Sequence, residues 1–422
     1  MNNTYDINSI ESLDFRTGVR TRIQMYLGSD DIEGTYQALK EIINNSTDEA
    51  LAGYGNEIEI HISEKENTAA VIDQGRGIPF GLRDDGENVL VSIFSKSHTG
   101  GKFDEGAYKN ASGLNGIGAK CTCLSSEKFE VQSMRDGKMA TAYFEKGNLI
   151  SYNEAVASPN KHGTYIRFKP DTEVFKNGDI GYSYQRVCTD IKNISYLYNT
   201  ITFKVINDDT NETNIYHAEN GIIDFITEKV TKPVHSHIIY STAQDSNDDK
   251  IEIAFQWGAN KEQSYVFVNG LLCPEGGTPI TGAKTALTRT INSLTKLNLD
   301  GDLIRRGLFY VMNCSVAQPS FANQTKSKIN NANLKTLASN AFTSGLKEMN
   351  KKYANEFNDV INLIKTVEKS EEAATKAREA ILNHEKKEQN YKKQKITSSD
   401  KFKDCEQHGD NSILIICEGE TN

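Results

Sequence analysis

Four short segments between residues 41 and 120 constrain the fold of this 422-residue chain more than any other feature. In chain order they are EIINNSTDEALAG at 41–53, DQGRGIP at 73–79, GGK at 100–102 and SGLNGIGAK at 112–120. The first predicts a helix with carboxylates and an amide, the second a glycine turn after an aspartate, and the last two a glycine-rich loop. Proteins build sites for nucleoside triphosphates from these parts.

Residues 32–51 have the spacing of an amphipathic helix, in which one apolar stripe packs inward. On another face Gln37, Glu41, Asn45 and Asp48 follow one another at steps of four, four and three residues. A carboxylate and a carboxamide therefore lie one turn apart and point the same way. This face is either part of a ligand site or the solvated side of a surface helix.

Two strands follow this helix. EIEIHIS at 57–63 alternates apolar and polar residues, and TAAVID at 68–73 forms the second arm of a predicted hairpin. Asp73 ends the second strand, and Gly75 and Gly77 permit a tight backbone turn after it. An aspartate in this position is explained either by turn chemistry or by ligand binding.

The segment 98–120 is too rich in glycine and polar residues to build a core. It suits a mobile lid whose backbone N–H groups wrap phosphates, and it ends where an apolar helix continues to Leu124. Lys102 adds a cation to this lid. The alternative is a disordered linker, but such linkers seldom lead directly into an apolar helix.

Strands and helices alternate after residue 124 and predict an α+β layered fold, with the pattern restarting near Gly221. Residues 1–30 are predicted to be irregular, and 331–394 nearly all helical with a charged end. NSILIICEGETN at 411–422 has the pattern of a buried strand. Either a further domain covers that strand or it pairs with another chain.

The charge and composition narrow the class of protein. The chain carries 48 basic and 57 acidic residues, a net charge of −9, which argues against nonspecific DNA binding over its whole surface. No apolar run approaches the roughly 18 residues of a membrane span, and MNNTYDINSI at 1–10 lacks the features of a signal peptide. We therefore predict a cytoplasmic protein without membrane contact.

The cysteines and histidines do not predict a metal site. Seven cysteines without a Cys-x-x-Cys spacing predict reduced and mostly buried thiols. His235 and His237 would share one face of a strand, but no further group of ligands lies near them in the sequence.

In their order and spacing these motifs resemble the GHKL ATPases, the family that includes gyrases, heat-shock chaperones of this fold and sensor histidine kinases. The whole chain resembles one branch, the B subunits of bacterial DNA gyrase and topoisomerase IV. Beside the four segments above, the likeness lies in GTYIRF at 163–168, GGTPITGAKTALTRTIN at 276–292, QTKSK at 324–328 and CEGE at 417–420.

The resemblance implies an α+β fold in three parts. Residues 1–220 would form a GHKL (Bergerat) ATPase sandwich with an N-terminal dimerisation arm. Residues 221–394 would form a transducer domain of the ribosomal-protein-like βαβ type with a long C-terminal helix. Residues 395–422 would be a linker and the first strand of a truncated TOPRIM domain.

By the same resemblance Glu41 is the general base that activates the attacking water, and Asn45 is the ligand of Mg²⁺ bound with ATP. The chemistry agrees, because Mg²⁺ keeps most of its waters while a carboxylate one turn away can accept a proton. Asp73 accepts the adenine amino group, with Thr164 beside it. The other residues of this part that the resemblance places at ATP are Glu49, Arg76, Gly77, Ile78, Pro79, Lys102, Tyr108, Gly113, Leu114, Asn115, Gly116, Ile117 and Gly118.

The resemblance also implies contacts from more distant segments. Gln324 and Lys326 reach from the second domain to the γ-phosphate and take part in catalysis. ATP joins two copies into a homodimer that exchanges N-terminal arms, and Tyr5 touches the neighbour's nucleotide. This dimer forms a gate that captures double-stranded DNA and passes it through a break made by the topoisomerase A subunit.

Two further positions concern DNA. Arg289 matches a basic position that lines the cavity between the second domains. Glu418 matches the first acidic residue of the TOPRIM domain, which binds Mg²⁺ for DNA cleavage and belongs to the part that meets the A subunit. The rest of that domain is absent from this sequence, so the chain alone is expected to hydrolyse ATP without cutting DNA.

The sequence also departs from the family pattern. Gln37 stands where the family usually has His, Ile23 stands where a Pro is usual, and EGETN at 418–422 replaces the common EGDSA. Two other hypotheses follow: a nucleotide-gated clamp or chaperone-like GHKL protein that does not act on DNA, and a degenerate module that binds without hydrolysis. Glu41, Asn45 and Lys326 disfavour the second of these.

Overall fold

The structure is a computed structural model of the chain. It describes residues 13–96, 117–178, 180–258, 261–323, 326–397 and 413. The chain divides into two compact units, Met1–Val360 and Ile361–Asn422. Within the described ranges, no helix is both long enough and apolar enough to cross a membrane.

Helices and strands alternate along the described residues. The helices are α1 (Phe15–Thr21), α2 (Gln24–Leu27), α3 (Ile32–Leu51), α4 (Val89–Ser95), α5 (Gly118–Leu124), α6 (Tyr184–Ser195), α7 (Ile222–Lys229), α8 (Thr278–Thr295), α9 (Gly301–Arg305), α10 (Ala332–Lys352) and α11 (Ala354–Thr397). The strands are β1 (Glu57–Ser63), β2 (Thr68–Asp73), β3 (Ser126–Arg135), β4 (Lys138–Glu145), β5 (Asn148–Val156), β6 (Gly163–Pro170), β7 (Thr202–Asn207), β8 (Thr213–Tyr216), β9 (Ile239–Gln244), β10 (Lys250–Trp257), β11 (Gln263–Val268), β12 (Leu271–Leu272), β13 (Gly276–Gly277), β14 (Leu308–Ser315) and β15 (Lys328–Ile329).

The larger sheet has eight strands in the order β5-β4-β3-β6-β2-β1-β7-β8. Its neighbours are antiparallel except β1 and β7, which run parallel. In β1 the side chains of Ile58, Ile60 and Ile62 are fully buried, whereas those of the alternate residues Glu57 and Glu59 are partly exposed. One face of the sheet therefore packs inward, as the alternation in the sequence predicts.

Helix α3 packs against this sheet through its apolar stripe. Tyr36, Leu39 and Ile43 are at most 2% exposed and belong to the same core cluster as the residues of β1. The helix begins at Asp31, whose side chain caps it by accepting from the N–H of Glu33. Further along the helix, the hydroxyl of Ser46 donates to Asp73 at the end of β2 over 2.8 Å.

The smaller sheet has five strands in the order β12-β11-β14-β10-β9, and β11 runs parallel to β14. Phe342 of α10 stacks on Phe255 of β10 with ring centroids 5.3 Å apart. Helices α8 and α10 approach closely, because a Cβ added at Gly282 would lie 2.1 Å from the carbonyl oxygen of Lys335. Glycine at this position is required by the packing of the two helices.

We call the larger sheet with α1–α6 the N-terminal lobe (residues 13–216) and the smaller sheet with α7–α10 the C-terminal lobe (residues 222–353). Both lie in the first compact unit. They share an apolar cluster in which Tyr196 and Leu197, from the connection after α6, pack with Phe225 of α7. The rings of Tyr196 and Phe225 are 5.3 Å apart.

The structure confirms the β1–β2 hairpin, α5 and the burial of the five cysteines in the described residues, which are all free thiols. Within residues 13–30 the prediction of an irregular segment is wrong, because α1 and α2 lie there. Val19 of α1 is fully buried, and Arg20 pairs with Asp171 at 2.6 Å. Tertiary contacts of this kind stabilise short helices that local pattern does not predict.

Two other local predictions differ from the structure. The sequence predicts strands at 128–134, 139–145 and 163–169 but not β5, whose residues are almost all exposed and show no alternation. His235 and His237 precede β9 and do not share a strand face. The prediction that 331–394 is nearly all helical is confirmed, since α10 and α11 are separated only at Tyr353.

Candidate nucleotide-binding site

The polar face of α3 is ordered by its own side chains. The amide of Gln37 donates to Oε1 of Glu41 over 2.9 Å. The amide of Asn45 donates to the backbone carbonyl oxygen of Glu41, also over 2.9 Å. Asp48, on the same face, is only 5% exposed. This face is therefore not a row of freely solvated side chains.

The first turn of α5 lies directly against the Glu41 carboxylate. A Cβ added at Gly118 would lie 2.0 Å from Oε2 of Glu41, so any larger residue would displace that carboxylate. Gly118 and Ile117 are the only predicted ATP contacts of the glycine-rich segment that fall in the described part of the chain. They place the end of that segment beside Glu41.

Asp73 is a buried carboxylate at the end of β2, with 8% of its surface exposed. Burial raises the pKa of Asp73 above its usual value, against hydrogen bonds that favour the ionised form. Oδ2 accepts from the hydroxyl of Ser46 over 2.8 Å, and Oδ1 accepts from the N–H groups of Gly75 and Thr164 over 2.9 and 3.2 Å. The carboxylate is thereby fixed between α3 and the pairing of β2 with β6.

The turn after Asp73 is held by its contacts with the sheet. Gly77 has a φ of +75°, and a Cβ there would lie 2.4 Å from the carbonyl oxygen of Met134. The carbonyl oxygen of the next residue, Ile78, accepts from the hydroxyl of Ser133 over 2.7 Å. Gly77, Ile78 and Pro79 are predicted to wall the ATP pocket. The backbone at the start of this wall is therefore held in place by the sheet.

Glu49 and Arg76, both predicted to bind ATP, bind each other. The guanidinium of Arg76 donates from Nε and a terminal nitrogen to the two carboxylate oxygens of Glu49, over 3.1 and 2.9 Å. The N–H of Arg76 also donates to Glu49 over 3.2 Å, and its guanidinium lies 4.1 Å from the ring centre of Tyr54. The pair links the end of α3 to the glycine turn.

Three residues that shape this region were not predicted from the sequence. Ser46 and Ser133 donate to the Asp73 carboxylate and the Ile78 carbonyl, as described above, and Nδ1 of His162 lies 2.8 Å from the carbonyl oxygen of Gly75. Only Ser46 has a local signal, since it follows Asn45 directly on the predicted helix. The other two come from segments distant in sequence, and sheet pairing alone brings them there.

A cleft of about 1060 Å³ opens between the two lobes. Its N-terminal side includes Gln37, Glu41 and Gly118, and its C-terminal side includes Leu271 and Lys326. The structure thus brings Glu41 and Lys326 to one cleft from widely separated positions in the sequence.

Among the other predicted positions in the described residues, Asn45, Asp73 and Thr164 do not border this cleft. Arg289 is exposed on α8 and does not border this cleft. Outside the described residues are Tyr5, Lys102, Tyr108, Gly113, Leu114, Asn115, Gly116, Gln324 and Glu418.

The fold is that of the GHKL ATPases. Residues 30–174 match the family described as histidine kinase-, DNA gyrase B- and HSP90-like ATPase, and residues 221–380 match the family described as DNA gyrase B. The 43K ATPase domain of Thermus thermophilus gyrase B has a similar fold, with a TM-score of 0.73, 24% identity and coverage of 86% of this chain and 98% of that one. The ATPase region of Saccharomyces cerevisiae topoisomerase II has a TM-score of 0.65 at 18% identity, covering 84% and 99%.

Among curated relatives, the chain is 34% identical to the DNA gyrase B protein of Synechocystis sp. over 89% of this chain and 36% of that protein. It is 32% identical to the DNA gyrase B protein of Clostridium acetobutylicum (90% and 61%) and 33% identical to the DNA topoisomerase 4 B protein of Staphylococcus epidermidis (78% and 51%). The chain belongs to the family of DNA gyrase and topoisomerase IV B subunits. It spans between about one third and three fifths of the length of these relatives. The predicted α+β fold and GHKL family are confirmed.

Proposed function

We propose that this chain is the ATP-binding and ATP-hydrolysing part of a type IIA topoisomerase B subunit. The observation that carries the proposal is the cleft bordered by both Glu41 and Lys326, one from each lobe. The family matches at 30–174 and 221–380 support a division of the chain into two such domains. They fall within the proposed ATPase domain (1–220) and transducer domain (221–394), with 395–422 as the start of a TOPRIM domain.

The adenine end of the site is proposed to lie at Asp73. Its two oxygens accept three hydrogen bonds from the protein, and a carboxylate offers about four acceptor positions, so a further N–H donor can bind. The exocyclic amino group of adenine is such a donor. The turn from Gly77 to Pro79 would form one wall of the adenine pocket, and Thr164 would lie beside the adenine.

The phosphate end is proposed to lie at Glu41 and Lys326. Glu41, held by Gln37 on one oxygen, would accept a proton from the attacking water. Lys326, with Gln324, would stabilise the charge that develops on the γ-phosphate. Because Glu41 and Lys326 come from different lobes, a bound triphosphate would fix the relative orientation of the lobes and hydrolysis would release it.

Mg²⁺ is proposed to bind with ATP through Asn45. The Asn45 amide nitrogen donates to the Glu41 carbonyl oxygen, and an amide oxygen is a suitable Mg²⁺ ligand. In the described residues there is no group of three or more His, Cys, Asp or Glu side chains that could hold a metal by itself. Phosphate oxygens and water would complete the coordination, and the ion would neutralise phosphate charge.

The wider role follows from the family. ATP would join two chains in a homodimer in the cytoplasm, with Tyr5 of one arm at the other chain's nucleotide. The dimer would capture double-stranded DNA, with Arg289 on α8 facing it, for passage through a break made with the A subunit. Glu418 would bind Mg²⁺ in a complete TOPRIM domain.

Sedimentation velocity with and without a non-hydrolysable ATP analogue, together with ATP turnover, tests the proposal. We expect a monomer that dimerises with the analogue, and turnover that requires Mg²⁺. A chain that binds no ATP would refute the proposed function. Dimerisation without ATP-dependent DNA relaxation by the full-length protein and its A subunit would instead favour a clamp or chaperone-like role.

A further inference from the structure

A two-residue turn between β11 and β12 is hydrogen-bonded to the start of the segment that leads to Lys326. Asn269 and Gly270 both have left-handed backbones, with φ of +48° and +79°. The Asn269 amide donates to the carbonyl oxygen of Val316 over 2.8 Å, and its side-chain oxygen accepts from the N–H of Val316 over 2.8 Å. This side chain is therefore locked to the backbone just after β14, and the residue is only 8% exposed.

Val316 is the point at which the chain leaves β14 towards Lys326. The next N–H, that of Ala317, donates to Asp249 over 2.9 Å. On the far side of Lys326, the carbonyl oxygen of Ser327 accepts from the N–H of Glu275 over 3.0 Å. Both ends of the segment that carries Lys326 are thus anchored, and the Asn269 side chain supplies two of these bonds.

The same turn also touches the N-terminal lobe. A Cβ added at Gly270 would lie 2.0 Å from the hydroxyl oxygen of Tyr198, which lies between α6 and β7. Gly270 borders the cleft that Glu41 and Lys326 also border. The turn therefore lies where the two lobes meet and, through Asn269, holds the start of the segment that bears the lysine.

We propose that Asn269 is a positioning residue for Lys326. By fixing Val316, it sets where the segment starts relative to the cleft and hence where the lysine meets the terminal phosphate. A displacement of a reacting group by about 1 Å can lower the rate by up to roughly 100-fold. A small shift of Val316 would therefore change the rate of hydrolysis. This inference rests on the proposed role of Lys326 in the ATPase.

Asn269→Asp tests this role, because it keeps the size and one acceptor but replaces the donor with an oxygen that faces the Val316 carbonyl. We expect kcat for ATP to fall about 3- to 10-fold, with a similar loss of affinity for a non-hydrolysable triphosphate analogue. Affinity for ADP should not change, since ADP lacks the phosphate that Lys326 contacts. Asn269→Gly suits the left-handed backbone and lacks both bonds, so it should give the same pattern even where the aspartate variant folds poorly.

Asn292 offers a matched control. It makes the same two bonds to the backbone of Leu299, over 2.9 and 2.8 Å, at the connection between α8 and α9, and it does not border the cleft. Asn292→Asp should lower the unfolding temperature much as Asn269→Asp does, yet leave kcat and the preference for triphosphate over diphosphate unchanged. Equal kinetic loss in both variants would overturn the positioning role.

A double-mutant cycle with Lys326→Ala separates this inference from the proposed function. If Asn269 acts through the lysine, Asn269→Asp should cause no further loss of kcat in the Lys326→Ala background. The same 3- to 10-fold loss in both backgrounds would overturn the inference while leaving the lysine's role intact. Parent-like turnover of Lys326→Ala alone would instead overturn the lysine's proposed role.

Discussion

The two ends of the candidate site are built in different ways. Asp73 lies in the N-terminal lobe alone, and its three hydrogen-bond donors come from α3, the glycine turn and β6. Glu41 borders a cleft whose opposite wall, with Lys326, belongs to the C-terminal lobe. In the proposed site, one end lies within a single lobe and the other is shared between two.

This difference assigns different tasks to the two ends. When a pocket lies within one lobe, the free energy of ligand binding does not depend on how the two lobes are arranged. A site shared between lobes makes chemistry depend on their arrangement, so ligand state and lobe orientation are linked. We therefore expect variants at Asp73 to weaken all adenine nucleotides, and variants at the cleft to act on the triphosphate and its hydrolysis.

The largest effect is expected for Glu41→Gln. Loss of the proton acceptor should lower kcat by at least about 100-fold while the affinity for a non-hydrolysable ATP analogue stays within about threefold of the parent. Steady-state turnover and analogue titration measure the two quantities. Glu130→Gln, at a partly exposed position on β3, is the control. Near-parent turnover of Glu41→Gln would remove the assignment of the base.

Lys326→Ala should have the next largest effect. Loss of a charge-assisted contact to phosphate is expected to lower kcat by about 10- to 100-fold and to weaken nucleotide-dependent dimerisation. ADP affinity should be unchanged. Lys328→Ala, an exposed lysine two residues further on, is the matched control for charge. Unchanged kinetics and dimerisation would show that the cleft does not act across the two lobes.

Asp73→Asn should reduce affinity for ADP and for the ATP analogue by the same amount, about 1–3 kcal/mol, because it alters an acceptor that both ligands share. Isothermal titration with the two ligands measures this. Asp209 accepts comparable bonds from the hydroxyl of Ser63 and two N–H groups at a surface turn, so Asp209→Asn is the control. A loss confined to the triphosphate would move adenine away from Asp73.

The two ends also differ in how far the sequence predicts them. Local pattern places Glu41 and Asn45 on one helix face and Asp73 at a strand end before two glycines, although their roles are predicted only through the resemblance to the family. Ser133 and His162 could not be nominated, because their positions depend on the pairing of β3 with β6 and β6 with β2. The sequence pattern of one strand does not specify which strand becomes its neighbour.

Lys326 illustrates the same limit in another way. Its role is predicted only through resemblance to a family, since a lysine in a polar loop carries no signal of its own. Asn269, too, stands in a turn where Asn-Gly is explained fully by the left-handed backbone. Its bonds to Val316 depend on the parallel pairing of β11 with β14, which follows only from the folded sheet.

The smallest effect is expected at the contact between the lobes. Glu228 of α7 accepts from Lys192 of α6 and from the hydroxyl of Tyr196, and these bonds lower the pKa of Glu228 to about 2. Because the pKa is lower in the folded chain than in the unfolded one, where it is about 4.3, the contact stabilises the fold at neutral pH. That contribution is lost as the pH falls from about 4.3 towards about 2.

Glu228→Gln should therefore lower the unfolding temperature slightly at pH 7, and the difference from the parent should shrink as the pH falls below about 4.3. The effect is small because both side chains of the Lys192–Glu228 pair are about one third exposed or more, and solvent screens them. Glu219→Gln, at an exposed position just before α7, is the control and should match the parent at every pH. A difference that stays constant down to about pH 3 would mean that the Glu228 carboxylate contributes through its packing and not its charge. The contribution of this contact between the lobes would then resemble that of the apolar cluster around Phe225, which depends on packing and not on charge.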